Sequence, residues 1–186
     1  MYLIVGLGNP EEEYSNTRHN MGFDTINKLA NQYKIKVNKN KFKGLCGTGE
    51  IEGEKVLILK PQTYMNLSGE SIKETIDFYK IDIEKLIVVY DDIDLNPGII
   101  KVRKTGGPGT HNGMKSVFQN IKFKDFPRVR VGIGMPEHKN DLINYVIGKI
   151  PEEEKHILEK STTLAKDAVI EIIKNGVDSA MNKYNW

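Results

Sequence analysis

The chain has 186 residues, of which 39% are hydrophobic and 28% are charged, and this composition is typical of a soluble globular domain. It contains no run of about 20 apolar residues, which excludes a membrane-spanning helix, and its single cysteine, Cys46, excludes an intrachain disulfide. The first apolar run is also too short for a signal peptide. We therefore expect one cytoplasmic domain over residues 1–186 that has no membrane association.

The first half of the chain predicts strands and helices in alternation. Residues 2–7 form a short apolar run that ends in glycines and predict a buried strand. Apolar residues at helical spacing predict a helix over 23–33, and residues 43–51 and 54–59 predict a hairpin around Gly53. We expect Ser68 to cap a helix that ends near Tyr79. The unbroken apolar run over 86–90 predicts a strand that is buried on both faces.

The second half continues this alternation. A turn at 96–98 leads into a predicted strand over 99–103, and a glycine-rich loop then precedes a short helix that Asn112 opens. Residues 128–134 alternate as a strand. We expect Pro151 at the first position of a long helix that stops at Gly176, followed by a short last helix. The sequence therefore predicts the α/β class: a single domain with a mixed twisted β-sheet flanked by helices, and a C-terminal helix.

The charge is unevenly distributed, although the formal net charge is only +2. Residues 101–130 contain eight lysines and arginines against one acid, whereas residues 50–97 contain eleven acids against five lysines. A basic block of this kind is typical of a surface that binds a polyanion. Charge alone also leaves open an ordinary solvated surface.

Three polar segments follow predicted strands. They cover residues 6–23, residues 60–69, and residues 90–94 with 106–113. Open α/β sheets place their sites in the crevice outside the carboxyl ends of the strands, so we expect these segments to converge there.

Several kinds of site are disfavoured by the same segments. A dinucleotide fingerprint needs a third glycine where this chain has Glu11. The histidines His19, His111, His138 and His156 include no pair at a metal-binding helical spacing, and Cys46 lies in a strand-like stretch with no nearby histidine. A serine-hydrolase elbow is also missing. We therefore expect neither a nicotinamide cofactor nor a metal site.

The remaining polar groups suit attack of water on an ester. The sequence offers His19 or His111 as a general base, and Asp91 or Asp92 as the carboxylate that orients it. Asparagine amides can stabilise an oxyanion, and the candidates are Asn9, Asn20, Asn66 and Asn112. Each group also has a structural alternative, since asparagines often cap helices and an aspartate at a strand end can bind turn amides.

These segments carry a resemblance to a known family. In chain order, the segments contain G-L-G-N-P followed by Y-x-x-T-R-H-N-x-G, then K-P-x-T-Y-M-N-x-S-G, then D-D-x-D-L and G-G-x-x-x-H-N-G. These blocks resemble the sequence blocks of the bacterial-type peptidyl-tRNA hydrolases. The resemblance spans essentially the whole chain. It implies a cytoplasmic monomer that cuts the ester between a peptide and the 3′ end of tRNA and needs no metal or cofactor.

The resemblance also implies roles for single residues. His19 would be the catalytic base, Asp91 would stabilise its imidazole, and Asn9 would help to distinguish N-blocked from free aminoacyl-tRNA. Asn66 and Asn112 would orient the acyl-tRNA end. The residues implied to line the groove are Tyr14, Tyr64, Met65 and His111, and those implied to bind tRNA phosphate are Arg103 and Arg130, with Lys101 and Lys104 beside them.

The chain departs from the family pattern at two positions. Glu11 stands where the family usually has glycine after G-N-P, and Thr110 stands where it usually has glycine before H-N-G. Neither position carries a group to which the resemblance gives a chemical role. Two other functions remain open, namely RNA binding without catalysis and hydrolysis of an unrelated small ester.

Overall fold

A seven-stranded mixed sheet forms the centre of the molecule in the computed structural model, which describes residues 1–185. The strands are β1 (Tyr2–Gly6), β2 (Lys39–Lys41), β3 (Gly44–Ile51), β4 (Glu54–Pro61), β5 (Leu86–Asp92), β6 (Ile100–Arg103) and β7 (Arg128–Gly132). The helices are α1 (Met21–Gln32), α2 (Ser68–Tyr79), α3 (Asn112–Asn120), α4 (Leu142–Ile147), α5 (Glu152–Asn175) and α6 (Val177–Tyr184). The predicted α/β class, mixed sheet and C-terminal helix are confirmed.

The strand order β2-β3-β4-β1-β5-β7-β6 explains where a site can form. The four neighbouring strands β4, β1, β5 and β7 run parallel, and β2, β3 and β6 pair with their neighbours in antiparallel fashion. The segments that follow β1, β4 and β5 therefore leave the sheet at the same edge, where open α/β sheets bind their ligands.

Alternating side chains of the central strands build two hydrophobic cores, one on each face of the sheet. Ile4 and Val89 belong to the core that contains apolar residues of α1, α5 and α6. Leu3 and Val88 belong to the other core, which contains residues of α2 and α3. Burial on both faces accounts for the unbroken apolar runs in β1 and β5.

Gly22 allows helix α1 to pack directly on the sheet. A Cβ atom at this position would lie 2.4 Å from the carbonyl oxygen of Val89 and 2.5 Å from the backbone nitrogen of Leu7. Any larger residue would push the helix away. The close packing brings the turn before α1, which contains His19, to the carboxyl end of β5.

Two predictions about helix ends are wrong. Ser68 lies inside α2, and its hydroxyl donates to the carbonyl of Met65 instead of capping the helix. Pro151 precedes the first residue of α5 rather than occupying it. Asn112 opens α3 as predicted, and the residue that caps this helix is His111, whose Nδ1 accepts the N–H of Met114. The sequence analysis also missed β2 and α4. Within residues 1–185, none of the helices is both long and apolar enough to cross a bilayer.

Candidate active site

A carboxylate between two histidines lies at the carboxyl end of β5. The Asp91 side chain is 2% exposed, and its Oδ2 lies 2.8 Å from Nδ1 of His19 while its Oδ1 lies 2.9 Å from Nε2 of His111. These three residues come from three separate segments, since 72 positions separate His19 from Asp91 and 20 separate Asp91 from His111. The structure therefore brings together both histidines that the sequence offered as bases, and it selects Asp91 rather than Asp92 as their partner.

The hydrogen bond to Asp91 orients the imidazole of His19. Because the carboxylate can only accept, Nδ1 of His19 is the donor and carries a proton. The other ring nitrogen, Nε2, contacts no hydrogen-bonding group within residues 1–185, and the side chain keeps 13% of its surface exposed. An uncharged His19 in this tautomer presents a free lone pair to the cleft, as a general base requires.

Interactions with neighbouring side chains outweigh the effect of burial on the pKa of both His19 and Asp91. Burial of the His19 ring disfavours its charged form, but the charge of Asp91 and its hydrogen bond outweigh this effect and raise the pKa of His19. Burial also disfavours the Asp91 carboxylate, yet the two imidazoles stabilise it and lower its pKa far below the ordinary value. Asp91 is therefore an anion throughout the physiological pH range.

Asn9 is oriented by two neighbours. Its side-chain Oδ1 accepts the N–H of Met65 at 2.7 Å, which assigns the other amide atom as the NH₂ group. Asn20 accepts the backbone N–H of Asn9 at 2.8 Å and donates to its carbonyl at 3.0 Å. The described residues offer no acceptor to the Asn9 NH₂ group, and none of their buried side-chain polar atoms lacks a partner. This NH₂ group therefore reaches solvent and can act as a donor.

An unusual backbone conformation at Tyr64 makes this contact with Asn9 available. Tyr64 has φ 62° and ψ 159°, a region that L-residues rarely adopt, and the next residue, Met65, presents its N–H to Asn9. Glu11 has a similar conformation, with φ 80° and ψ 145°, and its carboxylate accepts a hydrogen bond from the Tyr64 hydroxyl. Glu11, the first departure from the family pattern, thus contacts a residue that was expected to line the groove.

Of the expected residues Asn66, Asn112 and Tyr14, Asn112 alone lines the cavity that contains the His19–Asp91 pair. Asn66 and Asn112 are both exposed, and their amides make no hydrogen bond within the part of the chain that the structure describes. Asn112 lines a cavity of about 450 Å³ together with His19, Asp91 and His111, whereas Asn66 does not. Tyr14 is half-buried at the end of the short 3₁₀ turn Glu12–Tyr14.

An apolar wall forms part of the cavity lining, and the sequence analysis did not find it. It consists of Ile93 after β5 and of Leu142, Ile143 and Val146 from α4. Ile143 is 72% exposed, so this side chain has no role in the core. The only signal in the sequence was the apolar spacing within a helix of six residues, which is too short to recognise by period.

The expected phosphate-binding residues lie on the β6–β7 side of the cavity. Arg103 and Arg130 both line it, and Lys101 pairs in register with Arg130 across the two strands. Arg130 Nε contacts Asp92 Oδ2, and Lys104 Nζ lies 2.7 Å from Asp178 Oδ1.

One member of the basic block is buried. Arg128 is 1% exposed, and its guanidinium donates to the backbone carbonyls of Gly106, Lys124 and Phe126. Arg128, which the charge count included in the basic block, therefore exposes almost no charge to a polyanion. This residue instead attaches the glycine-rich loop to the start of β7.

The two histidines and Asp91 also form a set of three metal-ligand types, with donor atoms within 4.8 Å of one another. The hydrogen bonds argue against coordination. Nδ1 of His111 accepts the N–H of Met114, so Nε2 of His111 carries the proton and offers no lone pair. Nδ1 of His19 likewise donates to Asp91. The arrangement is a hydrogen-bonded network and does not fit a metal site.

Sequence comparisons match essentially the whole chain to one known family. The sequence model of a family described as peptidyl-tRNA hydrolase matches residues 3–186. A peptidyl-tRNA hydrolase of Clostridium perfringens (strain SM101 / Type A) is 53% identical over 185 residues, which cover 100% of this chain and 97% of that protein. One of Clostridium botulinum (strain Eklund 17B / Type B) is 52% identical, with 100% and 96% covered.

The fold gives the same result. The crystal structure of peptidyl-tRNA hydrolase from Acinetobacter baumannii matches with a TM-score of 0.94 and 40% identity, and the match covers 100% of this chain and 94% of that one. At this identity the likeness extends beyond a shared fold. The chain therefore belongs to the peptidyl-tRNA hydrolase family of enzymes.

Proposed function

We propose that this protein hydrolyses the ester between a peptide, or an N-blocked amino acid, and the 3′ end of tRNA, and releases free tRNA during translation. The observation that carries the proposal is the 2.8 Å contact between Asp91 and His19 Nδ1, which leaves His19 Nε2 free beside the cavity. Membership of the family supports the same activity.

In the proposed mechanism, His19 Nε2 removes a proton from a water molecule as that water attacks the ester carbonyl. Asp91 keeps the ring in the required tautomer and stabilises the imidazolium that forms. A positioned general base of this kind typically contributes about 10²- to 10⁴-fold to the rate. The proton then passes from Nε2 to the 3′ oxygen of the tRNA as the ester bond breaks.

Asparagine amides would bind the substrate around the scissile bond. The NH₂ group of Asn9 is accessible and oriented, so it can donate to a carbonyl of the peptide or to the developing oxyanion. A free aminoacyl-tRNA has an ammonium group in place of the first peptide amide and offers Asn9 no carbonyl there. Asn66 and Asn112 would orient the acyl-tRNA end with their unpaired amides.

The tRNA backbone would lie along the β6–β7 surface. Arg103 and Arg130 would contact phosphate, with Lys101 and Lys104 beside them, which gives salt-dependent affinity without sequence preference. Tyr64 is 46% exposed, and its ring can stack on the terminal adenine. Tyr14 would line the same part of the groove. We further propose that the protein acts as a cytoplasmic monomer without metal or cofactor.

The test is release of N-acetyl-amino acid from N-acetyl-aminoacyl-tRNA, with free aminoacyl-tRNA as the control substrate. Rapid release from the blocked substrate alone is the expected result. His19→Ala should reduce turnover by about 10²- to 10⁴-fold, while His156→Ala, which changes an exposed histidine of α5, should not. Near-normal turnover of His19→Ala would remove His19 from the role of base.

The same assay separates the alternative functions. If tRNA binds and no ester is cut, the protein is an RNA-binding protein without catalysis. If simple esters are cut and added salt has no effect, it is a small-ester hydrolase that does not use the basic surface.

A further inference from the structure

We propose that His111 is a positioning residue that holds the Asp91 carboxylate through one imidazole tautomer, which the first turn of α3 selects. The inference rests on the proposed function, because it concerns the same His19–Asp91 pair. The resemblance to the family implies only that His111 lines the substrate groove. The contacts of its ring point to a different task.

The tautomer of His111 follows from its two hydrogen bonds. Nδ1 accepts the backbone N–H of Met114 at 3.2 Å, as a helix N-cap does, and therefore carries no proton. In an uncharged imidazole the proton is then on Nε2, which donates to Asp91 Oδ1 at 2.9 Å. The backbone of α3 thus determines which ring nitrogen faces the carboxylate.

This arrangement leaves His111 no polar atom for a substrate. Both ring nitrogens have partners, and the side chain is only 10% exposed. The ring of Tyr90 packs edge-on against it at a centroid distance of 5.1 Å, and the ring of His19 lies at the same distance. A hydrogen bond to substrate would require His111 to release either Asp91 or the helix end.

The packing around His111 requires a glycine at position 113. A Cβ atom at Gly113 would lie 3.0 Å from Cε1 of His111 and 2.5 Å from the sulfur of Met65, so the glycine allows the ring to lie against α3. The residue between His111 and Gly113 is Asn112, whose amide is proposed to orient the substrate. His111 is therefore next to a proposed substrate-binding residue in the chain and in contact with Asp91.

The positioning role of His111 follows from the hydrogen bond that Asp91 would lose without it. Each carboxylate oxygen has one imidazole donor, and the side chain is almost completely buried. Without the Nε2–H of His111, Oδ1 would be a buried acceptor with no imidazole donor, and the carboxylate could rotate away from His19. His19 would then lose the partner that selects its productive tautomer.

Two substitutions at His111 separate its two hydrogen bonds. In His111→Asn, the shorter side chain can still place an oxygen near the position of Nδ1 and accept the N–H of Met114, but it cannot reach Asp91. In His111→Gln, the amide nitrogen occupies the region of Nε2 and can donate to Asp91, while the helix cap is lost. The pair therefore compares loss of positioning with loss of capping at one site.

We expect His111→Asn to lower kcat on N-acetyl-aminoacyl-tRNA by about 10- to 100-fold, with KM changed less than about twofold. His111→Gln should recover most of that loss, although its melting temperature should be lower because the cap is gone. If both variants raise KM and keep kcat, His111 is a groove residue and the proposal is wrong. Equal losses of kcat in the two variants would also overturn it.

The tautomer can be measured without any substrate. Two-bond ¹H–¹⁵N spectra of the protein labelled at its histidines should show His111 protonated at Nε2 and His19 protonated at Nδ1. Protonation of His111 at Nδ1 would overturn the proposal even in a fully active enzyme. Conversely, an inactive wild-type protein with the expected spectrum would contradict the proposed function and still establish the tautomer of His111. Failure of the proposed function can therefore be distinguished from failure of this proposal.

Discussion

The side chain of Asn20 holds both backbone polar groups of Asn9, although eleven positions separate the two residues. Asn20 stands at the N-terminus of α1, where the sequence indicated a helix cap, but its side chain makes no capping hydrogen bond. It is 4% exposed and thus has no access to bulk water. Asn20 therefore links the helix that follows His19 to the loop that presents the Asn9 amide.

Removal of this link should impair both stability and turnover. Asn20→Ala leaves the N–H and the carbonyl of Asn9 without their partner, which should lower the free energy of unfolding by about 1–3 kcal/mol. Displacement of the Asn9 amide should reduce kcat by up to about 10²-fold. Asn31→Ala, on the exposed face of the same helix, is the matched control. Identical kinetics of the two variants, measured on N-acetyl-aminoacyl-tRNA, would show that Asn20 does not position Asn9.

The pH dependence of hydrolysis should report the His19–Asp91 pair. The base must be uncharged, and the charge of Asp91 raises the pKa of His19 above its ordinary value of 6.5 despite burial. We therefore expect kcat/KM to fall as the pH decreases through an apparent pKa above 6.5. Asp91→Asn removes the groups that raise this pKa and leaves burial, which lowers it, so the acid limb should move to lower pH.

The same variant should lose most of its activity at every pH. An amide in place of the carboxylate can stabilise the wrong tautomer of the base. In the serine-protease triad this change lowers kcat by about 10⁴-fold. The measurement is a pH–rate profile of both proteins from pH 5 to 9, a range of about four units that brackets the reference histidine pKa. An acid limb that stays in place in Asp91→Asn would mean that another group titrates there.

Arg130 is expected to bind tRNA phosphate, yet Asp92 already contacts its guanidinium. A phosphate must compete with this carboxylate, whose side chain is 7% exposed. Asp92→Asn should therefore strengthen tRNA binding. The slope of the logarithm of the binding constant against the logarithm of the salt concentration should become steeper by about one unit at most. The substitution keeps an oxygen that can accept the N–H of Asp94, as Asp92 Oδ1 does at 2.8 Å.

A double-mutant cycle provides the control for this prediction. If Asp92 acts through Arg130, then Asp92→Asn should have little effect on binding in an Arg130→Ala background. The affinity can be measured with deacylated tRNA at several salt concentrations. An equal gain in both backgrounds would indicate a general effect of charge and would not support competition for Arg130.

The fold could be predicted from the sequence wherever periodicity is strong. The run over 86–90 and the stripe of α5 became a buried strand and a long helix, because burial on defined faces imposes such patterns. β2 and α4 were missed because each is short, and the burial of β2 gives no alternation, since all three residues are exposed. Their existence depends on pairing with β3 and on contacts with the turn before α1, which a local pattern does not encode.

The candidate site could be predicted as a set of residues but not as a geometry. Chemistry alone left His19 and His111 equivalent as bases, and only the structure shows that Asp91 contacts both and that α3 occupies one nitrogen of His111. Charge alone could not show that Arg128 is buried either, because one of the carbonyls that its guanidinium contacts belongs to Gly106, which is 22 positions away in the chain. Sequence reports which groups are present, whereas hydrogen-bond partners depend on tertiary structure.

Arg18 connects the turn that contains His19 to the wall of the cavity. Its guanidinium lies 3.8 Å from the centre of the Tyr145 ring in α4, donates to the Tyr145 carbonyl and pairs with Glu154 at 2.7 Å. Arg18 is 5% exposed, whereas the Glu154 side chain is 33% exposed. Glu154 is therefore the partner that can be changed with the least disturbance of packing.

Glu154→Gln should leave the buried Arg18 charge without its counterion. We expect a loss of about 1–2 kcal/mol in the free energy of unfolding, a value at the lower end for buried pairs because Glu154 is partly solvated. Glu153→Gln is the matched control, since both residues lie in the first turn of α5 and interact alike with the helix dipole. Urea denaturation with an unchanged m-value measures the difference. Equal losses in the two variants would assign the effect to the dipole, while a loss confined to Glu154→Gln, with faster amide exchange in α4, would show that Arg18 anchors the cavity wall.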